Sequence, residues 1–117
     1  SNANIRSFPD GMDLEIFRLK TLKKSSKYAN SKKSREWPTT SIRKKPNIFK
    51  HLNILAPPEL HWPKLGLTLD VYQDYKLLKK IIIHFNERYD FSCLDVVRLL
   101  KKKKNLLKLN KNVKRNS

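Results

Sequence analysis

The stretch that most constrains this chain runs from Leu65 to Tyr89. A short apolar run, Leu65-Gly66-Leu67-Thr68-Leu69, meets a carboxylate at Asp70, and a long amphipathic segment follows at once. Tyr72, Tyr75, Leu78, Ile82, Phe85 and Tyr89 recur at helical spacing, with Lys76, Lys79, Lys80 and Glu87 between them. The pattern predicts a strand ending in Asp70 that feeds a helix from Val71 to about Tyr89. In an open α/β sheet such a strand end is where ligands gather, so the expected fold class is α/β.

The remainder is read around that pair. Ser1-Asn2-Ala3 has the look of a scar from a removed expression tag and is set aside. The single methionine is Met12, inside a motif, so the chain reads as a piece of a longer protein. Residues 4–104 form at most one domain, and 105–117 a basic tail. Phe8-Pro9-Asp10-Gly11-Met12-Asp13 contains turn chemistry, and Leu14 and Ile16 flanking Glu15 suggest a strand. A basic helix is expected from Arg18 to about Asn30, a break at Ser31–Ser34, and a short helix capped by Thr39 after Pro38. Ile48–Leu55 reads as an irregular strand. Ser92 with Asp95 makes a capping box for a helix through Leu100, with Leu94, Val97 and Leu100 inward and Cys93 buried. Leu106, Leu107 and Leu109 form a last buried turn before a frayed end.

Charge and composition narrow the chemistry. Twenty-seven basic residues against ten acidic ones give +17. The segment from Lys101 to Ser117 contributes eight basic residues and no acidic one. Such an excess suits nucleic acid or an anionic surface, yet scattered lysines also mark the wet sides of helices. One cysteine excludes a disulfide framework, and two glycines exclude a glycine loop around a phosphate. His51, His61 and His84 lack paired metal spacing. No run of eighteen apolar residues or secretory signal is present, which points to a cytoplasmic protein. Carboxylates remain: Asp10, Asp13 and Glu15 about one glycine turn, and Asp70. Such oxygens suit Mg2+, although Asp70 with Gln73 three positions on also reads as a helix cap.

Phe8-Pro9-Asp10-Gly11-Met12-Asp13-Leu14-Glu15-Ile16-Phe17 resembles the Phe-Pro-Asp-Gly-Leu-Asp-Val-Glu-Val-Phe signature of SpsF-type cytidylyltransferases, the spore coat polysaccharide biosynthesis proteins related to CMP-Kdo and CMP-sialic acid synthetases. Arg35-Glu36-Trp37-Pro38-Thr39 resembles that family's Arg-Glu-His-Val-Thr. Leu65 to Asp70 with Asp74 is similar to its Leu-Arg-Trp-Thr-Val-Asp-x-x-x-Asp, and Phe91 to Asp95 and Asn110 to Arg115 to its end. The resemblance implies the C-terminal half of a nucleotide-diphospho-sugar transferase-like, Rossmann-like fold, with a mixed sheet and flanking helices. It implies a homodimer that joins CTP to a sugar with Mg2+, the isolated half being inactive. Asp70 would be the metal ligand, Asp10, Gly11, Asp13 and Glu15 would line the sugar side, and Arg35 and Thr39 would be sugar- or phosphate-proximal substrate-binding residues. Trp37 and Pro38 replace the family's His and Val, and Gly66 replaces a larger residue. The family's nucleotide-gripping loop is not in these residues. Two other readings stand beside this one, a basic nucleic-acid-binding module and a non-catalytic assembly domain.

Overall fold

The computed structural model describes residues 1–37, 39–86 and 88–115. Pro38, Glu87, Asn116 and Ser117 lie outside the described residues, so the helix break expected at Pro38 and the polar position at Glu87 do too. The chain divides into two compact units: Ser1–Ile5 with Leu14–Ile54, and Arg6–Asp13 with Leu55–Ser117.

The first unit holds α1 (Leu19–Ser26), α2 (Lys32–Glu36) and α3 (Thr40–Arg43). The break expected at Ser31–Ser34 is instead the start of α2. Ser31 and Ser34 bond each other's backbone and hydroxyl groups, Ser34 Oγ donating to Ser31 O at 2.8 Å, so the serines begin a turn rather than interrupt one. Thr39 precedes α3 as expected, but its side chain makes no capping bond. Phe49 is buried and meets Tyr28 edge to face at 6.1 Å between ring centroids. Ser1 and Asn2, set aside above, are tied into this unit. The Ser1 ammonium donates to Leu52 O at 2.9 Å, and buried Asn2 accepts from Leu14 N through Oδ1 at 2.6 Å.

The second unit is built on α4 (Tyr72–His84) and α5 (Cys93–Lys102), with 3-10 turns at Pro58–Leu60 and Lys104–Leu109. Leu65, Leu77, Ile81, Val96, Val97, Leu99 and Leu100 form its core. Phe85 stacks on Phe91 at 4.4 Å against that core. The capping box of α5 is as the sequence predicts: Ser92 Oγ accepts from Asp95 N at 3.2 Å, and Asp95 Oδ2 accepts from Ser92 N at 2.8 Å. The Ser92 amide and the Ser92 hydroxyl, both donating to Oδ2, hold the Asp95 carboxyl below its ordinary pKa. Ser92→Ala should lower stability by about 1 kcal/mol in a urea titration, the usual worth of such a cap.

Several expectations are corrected here. The mixed sheet is absent: among the described residues strand pairing is one isolated parallel bridge, Asp10 to Gly66, and the chain is mainly helix and coil. A strand needs a neighbour to take its amide groups, and the apolar runs find other partners. Leu14 pairs with Asn2, and the amides of Ile48 and Phe49 fold back on Lys45 O as a turn. The face of α4 is also rotated from the expected stripe. Asp74, Leu77 and Ile81 are buried, while Tyr72 and Tyr75 stay exposed, stacked at 5.9 Å with Lys76 and Lys79 over their rings. The helix stops short of Tyr89 because Asn86 takes φ 54°, a left-handed turn that Asn tolerates. Cys93 is exposed rather than buried, lying at the start of α5.

Candidate functional site

The second unit's site starts at the Pro-Asp-Gly turn. Met12 N donates to Pro9 O at 3.1 Å, closing a turn whose third residue is Gly11 at φ 102°. That positive φ favours Gly, and a Cβ at Gly11 would stand 2.8 Å from the Leu67 carbonyl carbon. Asp10 N donates to Leu65 O at 2.8 Å and Leu67 N to Asp10 O at 2.7 Å, so the turn is laced to the segment leading to Asp70. Gly11→Ala should therefore cost about 1–3 kcal/mol, read as a lower urea midpoint, since strain and backbone overlap act together.

The same segment delivers its carboxylates at the start of α4. The N-cap is Val71, not Asp70, and the capping carboxylate is Asp74, so the expected Asp70–Gln73 box is shifted. Asp74 is fully buried, and its Oδ2 accepts from the amides of Asp70 at 3.2 Å and Val71 at 3.3 Å. Its Oδ1 accepts from Asn110 Nδ2 at 2.9 Å and Arg115 Nη2 at 2.6 Å. Burial pushes the Asp74 pKa up. The bonds from Arg115, Asn110 and the two amides more than offset it, leaving the carboxyl below its ordinary value. Asn110 Nδ2 also reaches Gly66 O at 3.0 Å, so this end of the chain is anchored rather than frayed.

Beside this network lies a cleft of about 580 Å³ lined by Arg6, Asp10, Trp62, Lys64, Asn110 and Arg115, among others. Arg6 lies 3.8 Å from Asp10. Four basic side chains (Lys111 is the fourth) face one carboxylate there, a setting for an anionic group on a small polar ligand. Asp70 is linked to it only through Arg115: its side chain is 69% exposed, and Oδ2 lies 3.8 Å from Arg115 Nη1.

Of the sequence-predicted residues, Asp10, Gly11, Asp13 and Asp70 fall in this unit. Asp10 lines the cleft, Gly11 abuts Leu67 and Thr68, Asp13 is exposed, and Arg115 ties the cleft to Asp70. Glu15, Arg35 and Thr39 fall in the first unit. Glu15 and Thr39 line a cleft of about 850 Å³ there, Glu15 paired with Arg43 at 3.5 Å, while Arg35 is exposed with Nε donating to Ala29 O. Arg6, Trp62 and Lys64 carried no sequence signal. Asp74, Asn110 and Arg115 did, as parts of the family-like motifs.

The residue expected to hold magnesium, Asp70, presents a single, mostly exposed carboxylate beside Arg115. Among the described residues no three His, Cys, Asp or Glu side chains converge on a metal position. Asp74 is saturated by its four bonds, so of the two carboxylates at the start of α4 only Asp70 is exposed. Mg2+ is often held by one or two carboxylates with water and substrate phosphate completing its shell.

No family model matches the chain. It superposes on a cytidylyltransferase from Leptospira borgpetersenii serovar Hardjo-bovis with a TM-score of 0.80 and 29% identity, over 99% of this chain and 46% of that one. The chain is similar to part of a cytidylyltransferase. An uncharacterized protein of Methanocaldococcus jannaschii is 30% identical over 107 residues, which is 92% of this chain and 44% of that protein. The chain thus spans a little under half the length of each protein it matches. The solved neighbour is a cytidylyltransferase, and the likeness covers a little under half of it. Among the described residues no helix is long and apolar enough to cross a membrane.

Proposed function

We propose that this chain is the C-terminal part of an SpsF-type cytidylyltransferase, which makes a CMP-activated sugar from CTP and releases pyrophosphate. The observation that carries the reading is the superposition on a cytidylyltransferase along nearly the whole chain. The shared placement of the Asp10 turn and the Asp70 segment in one unit supports it.

The chemistry is divided among groups already described. Asp70 is the carboxylate that holds Mg2+, which neutralises phosphate charge and orients the sugar hydroxyl when bound. Asp10 lines the second unit's cleft, and Gly11 and Asp13 follow it closely in the chain. Arg6 and Lys64 on its walls suit an anionic substituent of the sugar. The resemblance also names Glu15, Arg35 and Thr39, which fall in the first unit, as substrate-binding residues. The isolated chain is inactive in this reading because it carries no nucleotide-gripping loop, and the product serves surface or spore-coat polysaccharide synthesis in the cytoplasm.

A homodimer belongs to the same proposal. Leu14, Ile16, Phe17, Leu19, Leu52 and Ile54 leave an apolar surface on the first unit that a second copy would cover. Light scattering should then give twice the monomer mass, and a strict monomer would remove this element. The function itself is tested by pyrophosphate release from CTP, UTP, ATP and GTP with a panel of sugar acids. The complete protein should use CTP alone, and equal use of the four nucleotides would overturn the assignment.

A further inference from the structure

The outward face of α4 carries aromatic rings where a solvated helix needs only polar side chains. Asp74, Leu77 and Ile81 are buried, so Tyr72, Tyr75, Lys76, Lys79, Lys80 and Ile83 share the opposite, exposed face. Tyr72 is 66% exposed and Tyr75 45%, and their rings lie 20° from parallel with 5.9 Å between centroids. Lys76 Nζ stands 4.8 Å from the Tyr72 centroid, and Lys79 Nζ 5.8 Å from that of Tyr75. The one acidic residue between Val71 and Asn86 is Asp74, buried and held by four bonds on the inner side. Positive charge continues past the lysines of the helix, where Lys103 Nζ lies 3.3 Å from His84 Nδ1 at its last turn.

We propose that this face binds single-stranded nucleic acid, the tyrosine rings stacking on bases while Lys76, Lys79 and Lys80 pair with phosphates. The surface is independent of the transfer chemistry above, and its lysines are not those of the second unit's cleft. A flat ring suits the face of any base, and a cation one turn further along the helix suits the neighbouring phosphate. The ammonium groups now resting on the rings move to phosphates when bases take their place, so the lysines and the bases do not compete. A chain of net charge +17 supplies the long-range attraction. A membrane is the poorer partner. A helix that lies on lipid sinks an apolar face, and that of α4 is packed into the core, leaving Ile83 as its exposed aliphatic residue. An acidic peptide would meet the lysines and leave the rings without flat partners.

The test is fluorescence anisotropy of a labelled oligouridylate of about twelve nucleotides, a common site size, titrated with the 117-residue chain at low salt. Tyr72→Ala and Tyr75→Ala should each weaken binding roughly fivefold to a hundredfold, the range of one stacked base, whereas Tyr72→Phe and Tyr75→Phe should bind as the wild type does. Both rings are exposed, so these variants keep the core intact. Lys76→Gln with Lys79→Gln should flatten the slope of log affinity against log salt by about 1.4, two phosphate contacts on a single strand. No binding at low salt overturns the proposal, as does binding that both alanine variants leave unchanged, which is attraction by scattered lysines alone. Equal affinity for a duplex of the same length also overturns it, since paired bases cannot reach the rings. Phosphatidylserine vesicles bound in preference to the oligonucleotide, with the same loss in the alanine variants, would give the face to lipid instead and overturn it too.

Discussion

Asp74→Ala is expected to destabilise the second unit by about 3–5 kcal/mol, the cost of breaking a buried ion pair from one side. The change leaves the Arg115 guanidinium without its 2.6 Å partner and frees the amides of Asp70 and Val71 as well as the Asn110 side chain. Four donors lose one acceptor group, and at the buried end of α4 water does not readily replace it. Asp74→Asn keeps one oxygen and should cost less. The same carboxyl sets an acid limit. Its folded pKa is depressed, so the unfolded chain binds a proton at higher pH than the folded one. Its stabilisation is complete above the ordinary Asp value of about 3.9 and is lost as pH falls through the depressed folded value. Urea midpoints between pH 6 and pH 2 should therefore fall more steeply in the wild type than in Asp74→Asn.

The second large effect is on turnover. Asp70→Ala should lower Mg2+-dependent pyrophosphate release by the complete protein roughly a hundredfold or more, since a metal at the reacting phosphate is worth several kcal/mol. Its effect on stability should be small, because the side chain is mostly exposed and its ion pair with Arg115 is long. Asp70 and Asp74 are four residues apart with opposite expected signatures, one functional and one structural. Circular dichroism beside the rate measurement separates them. A normal rate in a folded Asp70→Ala protein would remove the metal role.

The reach of the sequence follows from the range of the interactions. The box of Ser92 and Asp95 was readable because both partners lie within one turn, and Val97 and Leu100 turn inward from it as their spacing says. The Pro-Asp-Gly turn was readable for the same reason. The sheet was not, because alternation in Leu14 to Ile16 or Leu65 to Leu69 says nothing about whether a neighbouring strand exists. The stripe on α4 was misplaced because tyrosine counts as apolar in a pattern, whereas Tyr72 and Tyr75 keep their rings in water beside lysines. At the site, the links from Asp74 to Asn110 and Arg115 span 36 and 41 residues, which no local spacing encodes. The motifs carried the residues of that network, and folding supplied their meeting.

The central claim is cytidylyl transfer assisted by the Asp70 carboxylate, and the most direct measurement is product analysis. The complete protein is supplied with CTP, Mg2+ and candidate sugar acids, with pyrophosphate counted and the nucleotide product weighed by mass spectrometry. The account predicts one pyrophosphate for each CMP-linked sugar formed, and neither in Asp70→Ala. CTP left intact with every sugar tested, or a CMP-sugar still formed at the wild-type rate without the Asp70 carboxylate, would contradict it.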